Sequence, residues 1–351
     1  MPNEGRPPER TFDECVYISG GGGHRENYLA TLGRVTNLRE MIAPRSAATW
    51  KALARKDRLL FATAEDDIAT FIAVSLQRAA CGMNTAALVM GAGRCFEPGY
   101  VKYTLKRNTF RALRKIERLK LISILPFYLD ARFSLVTSCW IYDPQFWDLA
   151  GMVACGRLPS TKLAEDMTAA SAGRPVLLFL GSPSGIKGYP FLADLIEARP
   201  GIAKRMLIAI AGRVPPAHKE RSARLSSHGV WFADRFLTEN EVVSLKAAAD
   251  TLWACYNPAY NSSSGIFGRS LQLDKNVIVR RASYLERIAQ YVNYPVETCL
   301  HGDMEEGLAL LERLASSKVQ RSPSGLARTF YDASVPILCQ ALSIDGNSGN
   351  S

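Results

Sequence analysis

Four short stretches of the 351-residue chain hold residue types that could do chemistry on an anion or a hydroxyl. The first is "YNPAYNSSSG", Tyr256 to Gly265. Its Ser263, Ser264 and Gly265 stand just before a helical pattern that begins near Ile266. Serine hydroxyls and the free N–H groups of a helix start make a neutral cradle for phosphate. A serine at that place is equally an ordinary N-cap. The second is "SGIKG", whose Lys187 is either a cation for phosphate or an exposed turn lysine. The third is "SGGGGHREN": Gly21, Gly22 and Gly23 let the backbone come close to a ligand, with His24 and Arg25 at the helix start that follows. It does not meet the Gly-x-Gly-x-x-Gly dinucleotide fingerprint, because Arg25 or Glu26 occupies the last place. The fourth is "TAEDD", where Glu65, Asp66 or Asp67 could orient an acceptor hydroxyl or cap a helix.

Each stretch falls at the end of a strand-like run. "ECVYIS", "DRLLFATA", "NTAALVMG", "KLISILPFY" and "SLVTSCWIYD" read as strands in the first part of the chain. Helical patterns alternate with them, including a basic amphipathic helix from Tyr100 to Leu119. A polar, small-residue stretch at 151–172 reads as a linker with a short helix. A second series then begins: "RPVLLFLGS", "KRMLIAIAGR", "VWFADRFL", "TLWACYNP" and "KNVIVRR" are strands, each followed by a helical segment. Strands alternating with helices predict parallel sheets covered on both faces. The expected organisation is a polar leader (1–12), a first Rossmann-like domain (13–150), the linker, a second Rossmann-like domain (173–318), a last helix (319–343) and a polar tail (344–351). Ligands of such sheets bind at the carboxyl ends of the strands. Two units facing each other across a cleft would place the site there.

Composition excludes several classes. No run reaches the roughly 18 apolar residues of a membrane span, and the N-terminus is no signal peptide. The 8 cysteines and 4 histidines lack metal-ligand spacing, so buried thiols in a reducing cytosol are expected and no metal is. A net charge of +10 calls for an anionic partner. Much of it is local: from Lys102 to Lys120 there are eight Lys/Arg and one acid. That helix reads either as a solvated face or as a surface for anionic lipid. Loops without interleaved aromatic and basic residues argue against nucleic acid.

The order and spacing of these pieces resemble the GT-B glycosyltransferases, and among them the large retaining family of bacterial polysaccharide transferases (family 4, group 1). The resemblance is strongest from Arg174 to Leu314. It rests on "FLGSPSGIKGYPFLADLI", "FADRFLTENEVVSLKAAADTLWACYNP", "DKNVIVRRASYLERIAQYVNYPVET" and the terminal "TFYDASVPILCQAL". It implies that Lys187 contacts a donor diphosphate, that the glycine loop approaches donor and acceptor, and that the last helix crosses back to the first domain. The donor-side residues it implies are Gly21, Gly22, Gly23, Ser182, Lys187, Arg213, Tyr256, Asn261, Ser263, Ser264, Gly265 and Arg269. His24, Glu65 and Asp67 are the catalytic candidates. Ser182 stands where the family has an arginine, with Arg213 or Arg269 as replacement cations. Asn261 and Arg269 stand where the family has two glutamates. The expected activity is transfer of a sugar from a UDP- or GDP-linked donor, without a cofactor, to a saccharide or lipid-linked saccharide. The expected place is the cytoplasm, at the inner face of the membrane through the basic helix 100–120. The rival readings are a GT-B epimerase and a non-catalytic GT-B scaffold.

Overall fold

The computed structural model describes residues 13–22, 24–316 and 322–343. The expected leader, the expected tail, Gly23 and the His24 side chain lie outside the described residues. The chain divides into two compact units, one running to Pro144 and resuming at Asp332, the other from Gln145 to Tyr331.

The first unit contains β1 (Glu14–Ile18), α1 (His24–Thr36), β2 (Arg39–Ile42), α2 (Ala47–Ala54), β3 (Arg58–Phe61), α3 (Ile68–Ala80), β4 (Thr85–Val89), α4 (Val101–Leu113), β5 (Leu119–Ser123) and β6 (Cys139–Trp140). Its strands form a parallel sheet in the order β2-β1-β3-β4-β5-β6. The innermost strands are largely apolar, as a sheet covered on both faces requires: "TAALV" of β4 is buried at every position, while β5 carries one exposed residue, Lys120. β2 and α2 were not legible in the pattern. "REMI" is a four-residue edge strand with two exposed charges, and α2 is announced only by Ser46, whose hydroxyl accepts the Thr49 N–H. The basic helix stops at Leu113, short of the expected Leu119, because Leu119 is claimed by β5, paired with Thr85 of β4.

The second unit contains α5 (Ala150–Ala154), α6 (Lys162–Ser171), β7 (Val176–Leu180), α7 (Tyr189–Ala198), α8 (Ile202–Arg205), β8 (Leu207–Ala211), α9 (Lys219–Ser227), β9 (Trp231–Ala233), α10 (Glu239–Ala248), β10 (Thr251–Ala254), α11 (Gly265–Gln272), β11 (Asn276–Arg280), α12 (Tyr284–Tyr291), β12 (Glu297–Cys299) and α13 (Met304–Ser316). Its parallel sheet has the order β12-β11-β10-β7-β8-β9. The core lies on β7 and β8, with Phe179, Tyr189, Leu192, Ile208, Trp253 and Leu311 among its buried members. The 151–172 stretch, expected as a linker, carries α5 and α6 in this unit. The N-cap Thr161 of α6 hydrogen-bonds Ser244 of α10 at 2.6 Å. The last helix, α14 (Leu326–Ala341), contains the boundary between the two units, after Tyr331.

Candidate functional site

In the second sheet the chain moves outward from β7 through β8 to β9, then outward the other way from β10 through β11 to β12. The direction reverses between β7 and β10, which are paired in register Thr251↔Leu177 and Leu252↔Leu178. The loops leaving these two strands must diverge, and the crevice this opens at the carboxyl ends is where doubly wound sheets bind ligands. The two loops are 181–188 after β7 and 255–264 after β10.

They are built against each other. Gly188 has φ +74°, and a Cβ there would collide with the Cys255 carbonyl, so only glycine fits. The Asn257 N–H donates to the Ile186 carbonyl at 3.1 Å. Lys187 therefore sits at the crevice. Its ammonium lies over Gly181, where an added Cβ would strike Nζ. Burial lowers its pKa, and no carboxylate contributes to its surroundings. Among the described residues Lys187 Nζ has neither a hydrogen-bond acceptor nor an ion-pair partner. Ser182, in the same loop, is exposed. Arg213 follows β8, next to Gly212, which packs on the backbone of Gly181. It is exposed, and its guanidinium lies 5.2 Å from the Phe236 ring centre.

The second loop is tied down by aromatic hydroxyls. Tyr256 is buried, which raises its pKa, and its hydroxyl meets Ser264 Oγ at 2.8 Å. Tyr260 donates to the Ser263 carbonyl at 2.5 Å, and its ring stands edge-on to Tyr256 at 5.0 Å. Ser264 is the N-cap of α11, accepting the Phe267 N–H at 3.4 Å. The N–H groups of Gly265 and Ile266 head the helix and have no intrahelical acceptor. Ser263 is 6% exposed, and its hydroxyl has no partner among the described residues. Both serine readings thus apply, one to each residue: Ser264 is the cap, and Ser263 is the unsatisfied hydroxyl beside it. Asn261 is exposed and accepts the Tyr284 N–H at 2.9 Å, tying this loop to α12.

Beneath α11 lies a charge network that the sequence did not announce. Arg269 is 3% exposed, and its guanidinium pairs with Asp148 at 2.6 and 2.9 Å and with Glu239. Gln272 donates to Asp148 Oδ1 and to the Gln145 carbonyl, both at 2.9 Å. Lys246 is 2% exposed and donates to the Gly265 carbonyl at 3.1 Å. Burial and the neighbouring Arg269 drive its pKa well down, against Asp148 and Glu239. Arg269 is therefore not a free replacement cation for a donor phosphate. Its two carboxylates hold it inside the unit, where it positions the helix. A Cβ on Gly265 would overlap Gln145, so the helix start is fixed against that segment. Asp148 in "QFWDLAG" and Lys246 in "VVSLKAAAD" were the missed members; a charge inside an apolar run was the available signal.

In the first sheet the reversal falls between β1 and β3. The loops flanking it are the glycine loop and the acidic stretch. Gly22 has φ +114°, and its N–H donates to Glu26 Oε1 at 2.7 Å; a Cβ on Gly21 would crowd the same oxygen. Arg25 pairs with Asp66 at 3.0 Å, and Thr63 donates to the same oxygen at 2.6 Å. Glu65 accepts the Met90 and Gly91 N–H groups at 3.0 and 2.8 Å and the Lys106 ammonium at 2.9 Å. Both its oxygens are engaged, so Glu65 is a brace between β4 and α4 and not a free base. Asp67 caps α3 through Oδ1, accepting the Thr70 N–H at 3.2 Å, while Oδ2 is enclosed and unpartnered among the described residues.

No protein-family model matches this sequence, and no curated protein matches it. Solved structures do. Alr3699/HepE of Anabaena, in complex with UDP, superposes with a TM-score of 0.65 at 11% identity, over 94% of this chain and 98% of that one. WaaG, a glycosyltransferase involved in lipopolysaccharide biosynthesis, gives 0.56 at 16% identity, over 95% and 98%. A Listeria monocytogenes chain proposed to be a UDP-N-acetylglucosamine 2-epimerase gives 0.53 at 10% identity, over 92% of each. The chain has the GT-B fold. Because these GT-B relatives include transferases and an epimerase assignment, the reaction must be argued from the residues.

Proposed function

We propose that the chain is a glycosyltransferase that moves a sugar from a nucleotide diphosphate donor to a saccharide or lipid-linked saccharide, in bacterial polysaccharide or glycoconjugate synthesis. The observation that carries this reading is Lys187: a half-buried ammonium without a counter-ion among the described residues, held by two interlocked loops at the switch point of the second sheet. The partner loop, joined to it through the Asn257 N–H and the Ile186 carbonyl, leads into the open N–H groups of α11 and carries the Ser263 hydroxyl, unpaired among the described residues. A cation, a helix start and a hydroxyl form a site for a diphosphate. HepE was solved with UDP and with UDP-glucose, which supports a nucleotide-sugar donor here.

In the proposed reaction the sugar's anomeric bond breaks toward the diphosphate, which departs with growing negative charge. Lys187 and the α11 N–H groups meet that charge as it develops, the contribution a preorganised polar site makes to catalysis. Arg213, exposed after β8, is the second cation within the same unit. On the acceptor side the glycine loop supplies backbone approach, and Asp67, with one unpaired oxygen, is the carboxylate left to orient a hydroxyl. His24 is retained as the other candidate. Retention of anomeric configuration follows from the resemblance alone. The proposed place of action is the cytoplasm; among the described residues no helix is long and apolar enough to cross a membrane.

The test is a thermal-shift screen with UDP, GDP and their sugars, repeated on Lys187→Ala, followed by product analysis. A shift for one nucleotide that Lys187→Ala abolishes, with transfer or slow hydrolysis of its sugar, supports the proposal. A shift with conversion of the donor sugar to its epimer would assign an epimerase. No shift with any nucleotide would leave a non-catalytic GT-B scaffold as the better reading.

A further inference from the structure

We infer that Lys246 is a proton-linked positioning residue for the start of α11, an amine in the free protein and an ammonium once a diphosphate is bound. The inference rests on the donor reading above. Lys246 lies on α10, is 2% exposed, and donates to the Gly265 carbonyl at 3.1 Å. Among the described residues that carbonyl is its one hydrogen-bond acceptor, and Lys246 forms no ion pair. An ammonium carries three donors, so two would be left buried and unanswered. A neutral amine with one donated bond suits the place better, because an unpaired buried charge is costly. The carboxylates nearby are already taken. Asp148, from the segment before α5, gives Oδ2 to Arg269 and Oδ1 to Gln272. Glu239, at the start of α10, pairs with the same guanidinium. Burial is the largest effect driving the proton off Lys246. Arg269 on α11 and Lys187 from the loop after β7 add to it, against Asp148 and Glu239.

A bound diphosphate reverses the balance. It would meet Lys187 and the N–H groups of Gly265 and Ile266. The Gly265 carbonyl and the Ile266 N–H are the two ends of one planar peptide group and point opposite ways. Lys246 holds the first end, and a phosphate oxygen would take the second. Each bond polarises the peptide in the sense that strengthens the other. The negative charge would also cancel that of Lys187, one of the two cations that oppose a proton on Lys246. Lys246 therefore gains a proton as the donor seats. Its ammonium then holds the helix start in the orientation that meets the phosphate.

The test is titration calorimetry of the full chain with UDP- and GDP-linked sugars, whose diphosphate has no proton of its own to exchange near neutrality. It is run at neutral pH in buffers of low and high ionisation enthalpy, so that the buffer dependence of the heat counts protons. The wild type is expected to take up roughly half to one proton per donor bound. Lys246→Met is expected to bind about tenfold more weakly with no uptake. Lys187→Arg is expected to keep the uptake, because an arginine does not release its proton. A second measurement is the melting temperature of unliganded Lys246→Met. Exchange of a neutral amine for an apolar chain of similar length should leave it within about 3 °C of the wild type, or above it. Binding without proton uptake in the wild type would overturn the inference, as would equal uptake in Lys246→Met. A fall of roughly 10 °C in unliganded Lys246→Met would also overturn it, since that marks the loss of a standing ion. Absence of binding heat with every sugar nucleotide would instead remove the donor reading, and this inference with it.

Discussion

Lys187 has no counter-ion among the described residues, and its burial fixes the direction of its pH response. Burial lowers its pKa from 10.5, so the ammonium is lost at a lower pH than in an exposed lysine. Binding of a diphosphate needs the charged form. Affinity for UDP should therefore hold while Lys187 is protonated and fall as the pH rises through its lowered pKa. Lys187→Arg should move that fall further to the alkaline side. Lys187→Ala should bind roughly thirtyfold more weakly, on the order of 2 kcal/mol, with the alkaline fall removed. Titration calorimetry across neutral to alkaline pH reads all three. Arg269 has the opposite character, a cation with two carboxylates. Asp148→Asn removes the buried one and should cost about 3 kcal/mol of stability in urea unfolding, because a buried guanidinium is left partly unpaired. Of the site residues, Lys187 was legible because glycines bracket it in a turn after a strand. The role of Arg269 was not, because its partners lie 121 residues away at Asp148 and 30 away at Glu239, separations that no local pattern reveals.

At the scale of elements, the proposed site depends on the start of α11. Ser264 was readable as a cap from its type and place, and Thr238 likewise caps α10, with Glu241 closing a capping box. What the pattern could not show is how closely the helix start is packed. Gly265→Ala should push α11 off Gln145, and a thermal-shift assay should show lost nucleotide stabilisation together with a lower melting temperature. Ser263→Ala is the contrasting case. It deletes a buried hydroxyl that has no partner, so the unliganded melting temperature should not fall, while UDP affinity should drop about fivefold. Equal UDP affinity in Ser263→Ala and wild type would remove Ser263 from the cradle. The elements missed in the sequence, β2 and β12, are four and three residues long. Strands that short are defined by the neighbour they pair with, and period-2 alternation has no room to show.

At the scale of the molecule, alternation of strands and helices was enough to give two doubly wound units, because fully buried parallel strands need continuous apolar runs. Strand order was not readable, since it depends on which edge each crossover returns to. It is the order that puts the loops after β7 and β10 side by side, where the site is proposed. Hydrogen exchange tests that placement directly. Saturating UDP should slow exchange in the loops at 181–188 and 255–266, while the paired backbone of β4 and β5, already deep in the first unit, should be unchanged. Protection centred on the loop after β9 instead would move the nucleotide away from the switch point.

The charge network under α11 also bears on the history of this chain. A carboxylate at position 269 would face Asp148 and Glu239 and bring three like charges together, two of them buried. Exchanging the arginine for a glutamate alone should cost about 3–5 kcal/mol or more of stability, because the buried Asp148 carboxylate loses its partner. Positions 148, 239 and 269 must change as a group, through intermediates that are each less stable than either end. Once formed, such a set holds itself in place: the loop above it can drift in sequence while the three charges cannot change singly.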